Sequence, residues 1–208
     1  MPLNAEKRKI GIMGGTFDPI HYGHLLAAEE ACFELSLEQV IFVPTGDPYR
    51  KRIRNVTSAE DRYTMVLLTT LDNPDFRISR VEIDRKEPSH TVDTLREMRH
   101  WFTPGNVDFY FITGLDAFFD MPKWKEYNAI LELCNIVAVS RPGYKSHKLD
   151  DLPLKVRSTI IPLEIPLLSI SSTEIRSRVS EGRNIKYLVP SLVEQYIYKK
   201  SIYKKIGR

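Results

Sequence analysis

The N-terminal part of this chain combines an apolar run, a pair of glycines and a helical pattern in direct succession. Residues 10–13 form the apolar run, and residues 25–32 carry the helical pattern. Gly14 and Gly15 between them let the backbone bend and let a ligand approach it closely. Because a helix N-terminus offers free N–H groups and a partial positive charge, this strand–turn–helix unit suits a bound phosphate.

Two histidines stand at the predicted start of that helix. His21 and His24 are three positions apart, so both side chains can lie on one face. Histidine has a free pKa of about 6.5, so near neutrality it can be a proton donor or a cation. A glycine pair or a single histidine is usually structural. A glycine pair followed by two histidines, directly after a strand, instead favours a site that stabilises charge on a phosphoryl group. Asp18 is interpreted as a turn former.

Strand and helix patterns alternate along the chain, which predicts the α/β class. They imply a Rossmann-like, doubly wound parallel sheet with helices on both faces. Ligands of such sheets bind beyond the carboxyl ends of the strands. The predicted strands are residues 9–13, 39–44, 76–79, 81–83, 107–114, 136–140 and 158–163. The predicted helices are residues 22–35, 58–71, 88–101, 123–133, 173–181 and 191–198.

Composition indicates an ordinary globular protein. With 208 residues, 42% hydrophobic and 27% charged, we expect one domain over residues 1–208, with a helical part at 171–208. A net charge of +3 is too small to indicate nucleic acid as the main partner, and no apolar run is long enough for a membrane span. The basic end, residues 198–208, is interpreted as a solvated helix end and tail.

Cysteine usage favours a reducing compartment. Cys32 and Cys134 each lie in an apolar pattern, which predicts buried free thiols rather than a disulfide. The N-terminus lacks the apolar core of a signal peptide, so we expect a cytoplasmic protein. No residue spacing indicates a metal site in the protein itself. The sequence leaves the oligomeric state open, and a homo-oligomer is possible on these grounds.

A second polar constellation occupies residues 169–178. Ser171 and Glu174 have the spacing of a capping box, which predicts a helix start at Ser171. Ser172 and Arg176 are four positions apart and share a face, which offers a hydroxyl and a guanidinium to a polyanion. Alone, this pattern is typical of any well-capped surface helix. Together with residues 14–24 it favours a phosphate site.

Both constellations resemble signatures of the nucleotidylyltransferase superfamily. Residues 14–24 resemble the first signature, with its His-x-Gly-His element, and residues 170–176 resemble the second. The resemblance runs in consistent order over residues 9–178, and one branch, the nicotinate-mononucleotide adenylyltransferases, is similar at residues 42–51, 88–95, 114–124 and 141–144. One loop departs from that branch, because residues 47–51 read Asp-Pro-Tyr-Arg-Lys where it usually has Pro-Pro-His-Lys.

The resemblance implies transfer of AMP from ATP to nicotinate mononucleotide, giving nicotinate adenine dinucleotide and pyrophosphate, with Mg²⁺ accompanying ATP. It implies that the catalytic residues are His21, His24 and Arg176. The implied ATP-binding residues are Gly14, Gly15, Thr16, Phe17, Gly23, Gly114, Asp116, Ile170, Ser171 and Ser172. The implied mononucleotide-binding residues are Lys51, Ser89, His90, Thr91, Trp124 and Arg141.

The residues themselves add physical reasons to the implied acceptor. Ser89, His90 and Thr91 begin a helix, whose N–H groups prefer the carboxylate of nicotinate to a neutral amide. Trp124 offers a stacking surface for a pyridine ring, although it could equally be a helix core residue. Two alternatives stay open: another nucleotidylyltransferase, such as a phosphopantetheine adenylyltransferase or a cytidylyltransferase, and a non-catalytic nucleotide-binding protein on the same fold.

Overall fold

The computed structural model describes residues 7–46, 56–140, 157–166 and 168–204. Within them, parallel strands form a six-stranded sheet in the order β3-β2-β1-β4-β5-β6. The strands are β1 Arg8–Gly15, β2 Gln39–Pro44, β3 Phe76–Ile78, β4 Val107–Gly114, β5 Asn135–Ser140 and β6 Ile160–Glu164. The order reverses between β1 and β4, which confirms the predicted doubly wound topology and marks where ligands bind in such sheets.

Helices cover both faces of the sheet. They are α1 Tyr22–Glu34, α2 Ala59–Thr70, α3 Thr91–Arg99, α4 Leu115–Asp120, α5 Tyr127–Leu133, α6 Ser172–Ser180 and α7 Ser191–Lys199. The helices α1, α2, α6 and α7 share one hydrophobic cluster, and α3, α4 and α5 share another. Successive strand residues alternate between the two, since Phe42 belongs to the first cluster and Ile41 and Val43 to the second. The strands are therefore buried on both faces, as predicted.

Three predictions of local structure were wrong. Residues 81–83 form a turn and not a strand, and the Glu82 carbonyl lies only 1.9 Å from where a Cβ on Gly46 would be. Helix α4 follows β4 directly, at residues where no helix was predicted. The helix predicted over residues 123–133 begins at Tyr127, because a 3-10 turn over Met121–Lys123 containing Pro122 precedes an extended Trp124.

The C-terminal segment also differs from its interpretation as a solvated tail. Ile202 and Tyr203 pack against the first hydrophobic cluster. The Tyr203 hydroxyl donates to Oδ1 of Asp18 at 2.6 Å, so the end of the described chain reaches the loop after β1. Burial and the neighbouring Asp18 carboxylate raise the pKa of Tyr203, which keeps it a neutral donor.

The two cysteines are buried free thiols, as predicted. Burial raises the pKa of Cys134 to about 12, so this thiol stays protonated and unreactive at neutral pH. In the part of the chain that the structure describes, no helix has the length and apolarity needed to cross a bilayer.

Candidate active site

The loop between β1 and α1 has a constrained backbone. At Gly15 a Cβ would lie 3.0 Å from the Phe17 ring, so the glycine lets this ring fold back against the strand end. Phe17 itself has φ 48, in the left-handed region that is costly for a residue with a side chain. Its ring is buried and meets the His24 imidazole edge-on at 5.1 Å between centroids. This loop therefore presents the backbone of Phe17, and not its ring, to a ligand.

The two histidines stack on one another at the start of α1. Their ring centroids are 3.8 Å apart, and the ring planes differ by 26°. His21 is the N-cap, and its N–H donates to Nδ1 of His24 at 3.3 Å, as it would to the Glu or Gln of a capping box. Because Nδ1 of His24 accepts, the neutral ring carries its proton on Nε2. A Cβ on Gly23 would lie 3.0 Å from Nδ1 of His21, so glycine at this position leaves room for the stacked rings.

The start of α6 is bonded to the same loop. Ser171 caps the helix as predicted, since its hydroxyl accepts from the Glu174 N–H at 3.2 Å. The Ser172 hydroxyl donates to the Pro19 carbonyl at 2.8 Å. Nη1 of Arg176 donates to the Asp18 carbonyl, also at 2.8 Å. The two helix starts that carry the predicted signatures thus meet at one loop. We call this junction the triphosphate side, after the role that the sequence predicts for it.

Ile170 completes this junction from the segment before α6. Its carbonyl would lie 3.9 Å from a Cβ at Gly23, so the backbone before α6 runs close to the second residue of α1. Thr16, at the other end of the loop, has its carbonyl held by the buried guanidinium of Arg62 at 2.8 Å. The loop is therefore held by side chains of α2 and α6.

Across the sheet edge, the start of α3 contacts the end of β2. His90 is the N-cap of α3, and Thr91 is its first residue. The Ser89 hydroxyl accepts from the Gly46 N–H at 3.2 Å. The three predicted residues of this region therefore lie together, at the N-terminus of a helix and beside the loop that follows β2.

Trp124 flanks the same edge from the second hydrophobic cluster. Its half-buried ring lies edge-to-face with Phe111 at 6.2 Å between centroids. The Phe111 ring in turn lies 3.4 Å from where a Cβ on Gly14 would be, next to the end of β1. We call the start of α3 together with Trp124 the mononucleotide side.

The end of β4 faces open space beside β1. No described atom lies within 4 Å of where a Cβ on Gly114 would be. Gly114 is also the N-cap of α4, and Asp116 is exposed in the first turn of that helix. Since β4 pairs with β1, this exposed carboxylate lies at the switch in strand order.

Two of the predicted mononucleotide-binding residues, Lys51 and Arg141, lie outside the described residues, so their roles stay predictions. Among the described residues, no group of three or more His, Cys, Asp or Glu side chains could hold a metal ion.

Two buried charges were missed by the sequence reasoning. Arg62 is 1% exposed although it lies in an ordinary helical pattern. Glu82 is buried beneath the start of α3, where its carboxylate accepts from the Thr94 hydroxyl at 2.7 Å. Burial raises the pKa of Glu82, against the effect of hydrogen bonds from Thr94 and Ser89. Nothing in the local sequence distinguishes either residue from a surface charge.

Comparison with known proteins gives consistent matches over the whole chain. The family model described as cytidylyltransferase-like matches residues 12–178. A probable nicotinate-nucleotide adenylyltransferase of Moorella thermoacetica is 48% identical, over 98% of this chain and 95% of its own length. Another of the same name, from Corynebacterium kroppenstedtii, is 47% identical over 100% of this chain and 97% of its own length.

A solved structure has the same architecture at lower identity. It is the Plasmodium falciparum nicotinic acid mononucleotide adenylyltransferase complexed with NaAD, with a TM-score of 0.76 and 22% identity. The alignment covers 94% of this chain and 97% of that chain. At this identity the likeness bears on the fold alone, and it agrees with the doubly wound sheet.

Proposed function

Because the chain belongs to the cytidylyltransferase-like family and resembles nicotinate-nucleotide adenylyltransferases over nearly its whole length, we propose that it transfers AMP from ATP to nicotinate mononucleotide. The products are nicotinate adenine dinucleotide and pyrophosphate. The observation that carries the proposal is the junction at the β1–α1 loop, where Ser172 and Arg176 bond to carbonyls next to His21. Imidazoles, a hydroxyl and a guanidinium can all reach one polyphosphate there.

The chemistry proposed for the triphosphate side is charge stabilisation. The mononucleotide phosphate attacks the α-phosphorus of ATP in line, and pyrophosphate leaves without a covalent enzyme intermediate. Nε2–H of His24 donates to the transferring phosphoryl group, with His21 stacked beside it. An arginine has five N–H donors, so Arg176 can hold the loop and still bind the β- and γ-phosphates. The N-terminus of α6, at Ser171 and Ser172, offers further N–H donors to the phosphates.

The backbone of the loop after β1 and the end of β4 complete the proposed ATP site. Gly14, Gly15, Thr16 and Phe17 offer close backbone approach to the phosphates. Asp116 accepts from the ribose hydroxyls beside the open space at Gly114. Both assignments are supported by the position of these segments at the switch in strand order.

The proposed roles on the mononucleotide side are recognition roles. The pyridine ring stacks on Trp124, and its carboxylate accepts from the N–H groups at the start of α3, near Ser89, His90 and Thr91. A helix N-terminus favours an anion over a neutral amide by electrostatics, which supports nicotinate over nicotinamide mononucleotide. By the family resemblance alone, Arg141 is assigned to the mononucleotide phosphate and Lys51 to closure of its loop over that phosphate.

Magnesium is proposed to arrive with ATP. Mg²⁺ commonly binds through substrate phosphates and waters rather than through a cage of protein ligands, so it would be carried by the nucleotide. When bound, it shields the phosphate charge. The protein groups named above act on the substrates themselves.

We also propose that residues 1–208 form one domain, since α6 and α7 share the first hydrophobic cluster with α1 and α2. A cytoplasmic location is proposed on chemical grounds, because both thiols are free and a reducing compartment keeps them so. A homo-oligomer stays a possibility to be tested by sedimentation.

The test is a comparison of acceptors under one set of conditions. Pyrophosphate release is measured with Mg-ATP and, in turn, nicotinate mononucleotide, nicotinamide mononucleotide and phosphopantetheine. We expect nicotinate mononucleotide to give the highest kcat/KM. Faster release with phosphopantetheine would identify a different nucleotidylyltransferase, and calorimetric binding of ATP without any turnover would identify a non-catalytic protein.

A further inference from the structure

The buried guanidinium of Arg62 connects three separate segments of the chain. Its Nη1 donates to the Thr16 carbonyl at 2.8 Å, and its Nη2 donates to the Gly46 carbonyl at 2.9 Å. Its Nε donates to the Thr57 carbonyl at 3.0 Å, just before α2. A planar fork of fixed geometry therefore joins the loop after β1 to the loop after β2. The side chain is 1% exposed, so these bonds are shielded from water.

At its first contact, Arg62 orients the backbone of the triphosphate side. The peptide between Thr16 and Phe17 is trans, so the Phe17 N–H points away from the carbonyl that Arg62 holds. Phe17 has the left-handed φ of 48 noted above, a conformation that persists only where the surroundings impose it. The bond from Arg62 is one of the interactions that impose it.

At its second contact, Arg62 fixes a residue that continues to the mononucleotide side. The Gly46 carbonyl accepts from Arg62, and the Gly46 N–H donates to the Ser89 hydroxyl at the start of α3. A Cβ on Gly46 would collide with the Glu82 carbonyl at 1.9 Å, so Gly46 is enclosed on that side as well. A continuous series of bonds thus runs from Thr16 through Arg62 and Gly46 to Ser89.

The surroundings keep this cation in place. The carboxylates of Asp18 and Glu82 lie close enough to stabilise the charge, against the effect of burial, which lowers the pKa of Arg62. Asp18 is itself held by Tyr203 at 2.6 Å. The guanidinium donates to three neutral backbone carbonyls, at Thr57, Thr16 and Gly46, so it binds backbone rather than pairing with one acid.

We propose that Arg62 is a positioning residue that sets the distance between bound ATP and bound mononucleotide without touching either of them. The inference rests on the proposed function, since the two loops are those assigned to the two substrates. In-line transfer requires the reacting atoms to approach to about 3–3.5 Å, and an error of about 1 Å can cost about 10²-fold in rate. Loss of the Arg62 guanidinium should therefore lower kcat more than it weakens the binding of either substrate.

The kinetic test compares Arg62→Met and Arg62→Lys with the same two substitutions at Arg99. Arg99 is a matched control, because it is half-buried and also donates to a backbone carbonyl, that of Leu133 at 2.8 Å. Leu133 lies just before β5, at the amino end of that strand, whereas the site lies at the carboxyl ends. We expect Arg62→Met to lower kcat about 10- to 100-fold, with the KM for each substrate within about threefold of the parent value. The kcat of Arg62→Lys should lie between those of Arg62→Met and the parent. The Arg99 variants should keep the parent kcat, measured where all proteins are folded by circular dichroism.

Hydrogen exchange provides a readout that needs no turnover. In Arg62→Met, or in Arg62→Lys if the first variant does not fold, exchange should rise together in the segments around Phe17 and Gly46. It should rise in neither segment for the Arg99 variant. Parent-like kcat per folded enzyme, or faster exchange around Thr57 alone, would overturn the proposal. A parent enzyme without pyrophosphate release would instead refute the proposed function, and the exchange result would still decide whether Arg62 joins the two loops.

Discussion

The triphosphate side and the mononucleotide side both lie at the carboxyl ends of the parallel strands, but they are built differently. On the triphosphate side, side chains of α6 bond directly to the loop after β1, through Ser172 and Arg176. On the mononucleotide side, the Ser89 hydroxyl at the start of α3 accepts from the Gly46 N–H, and Trp124 packs on the Phe111 ring. The buried Glu82 carboxylate beneath α3 accepts from the Thr94 and Ser89 hydroxyls. Bonds to backbone carbonyls fix the first side, whereas a buried carboxylate and ring packing support the second.

This difference in construction predicts different kinetic roles for the two sides. Donors that are held in place before the substrate arrives stabilise a transition state without reorganising, which raises kcat. Contacts that hold the ground state and the transition state equally well change KM instead. Substitutions on the triphosphate side should therefore lower kcat, and substitutions on the mononucleotide side should raise the KM of the acceptor.

The largest effect is expected for His24→Ala. Removal of one preorganised donor typically costs about 10²–10³ in kcat, and Nε2 of His24 is the proposed donor to the transferring group. ATP affinity should stay close to that of the parent, because the rest of the triphosphate side is intact. Pyrophosphate release gives kcat, and calorimetry gives the Kd for ATP. His100→Ala, an exposed residue at the end of α3, is the control. Parent-like turnover by His24→Ala would show that the assigned role is wrong.

A smaller loss is expected for Arg176→Ala. Hydrogen bonds to charged groups contribute about 1.5–3 kcal/mol, so kcat/KM for ATP should fall about 10- to 100-fold. The KM for nicotinate mononucleotide should change little. Arg178→Ala is the matched control on the same helix, where the side chain pairs with Glu174 at 2.8 Å. If steady-state kinetics showed equal losses for the two variants, Arg176 would act through helix stability and not through phosphate.

The parts of the molecule that could be predicted are those recorded in short-range patterns. The strands and most helices follow from hydrophobic periodicity. Helix α1 begins at Tyr22 as predicted, and Ser171 caps α6 as predicted. His21 and His24 lie within four residues of each other in sequence, so their proximity needs no tertiary information. The meeting of α1 and α6 was expected only because two phosphate-binding patterns imply one polyphosphate.

The parts that could not be predicted depend on contacts between distant segments. Residues 81–83 have strand-like composition but form a turn, which places the Glu82 carbonyl against Gly46 of a distant segment. Arg62 carries the sequence signature of an exposed helical charge, and its burial follows from carbonyls that other segments supply. Tyr203 is likewise explained only by Asp18, which lies far away in sequence. Propensity and spacing contain no information about such partners.

On the mononucleotide side, Trp124→Ala should raise the KM of the acceptor. Stacking of a base on an aromatic side chain is worth about 1–3 kcal/mol, so an increase of roughly 10-fold is expected, with kcat changed far less. Trp124→Phe should retain part of the affinity. Trp101→Ala is the matched control, since Trp101 is 51% exposed just after α3. An unchanged KM for nicotinate mononucleotide would leave Trp124 as a packing residue against Phe111.

The smallest effect concerns stability, and it tests whether the mononucleotide side carries an unfavourable charge. Burial raises the pKa of Glu82 in the folded state above its unfolded value. The folded state then binds the proton more tightly, so stability is lost as pH rises from the unfolded pKa through the folded one. Glu82→Gln removes that charge and can still accept from Thr94. We expect its Tm at pH 7.5 to exceed that of the parent by about 2–4 °C, which corresponds to about 1 kcal/mol in a chain of this size.

The pH dependence separates this explanation from simple repacking. Near pH 4 the parent carboxyl is largely protonated, so the advantage of Glu82→Gln in scanning calorimetry should shrink towards zero. Glu97→Gln serves as the control, because that exposed carboxylate pairs with Arg85 at 2.6 Å and should show no gain at pH 7.5. A lower Tm for Glu82→Gln at pH 7.5 would mean that attraction to Arg62 and Arg85 outweighs the cost of burial. Charges with a net attraction would then support the mononucleotide side, whereas bonds to neutral backbone carbonyls fix the triphosphate side.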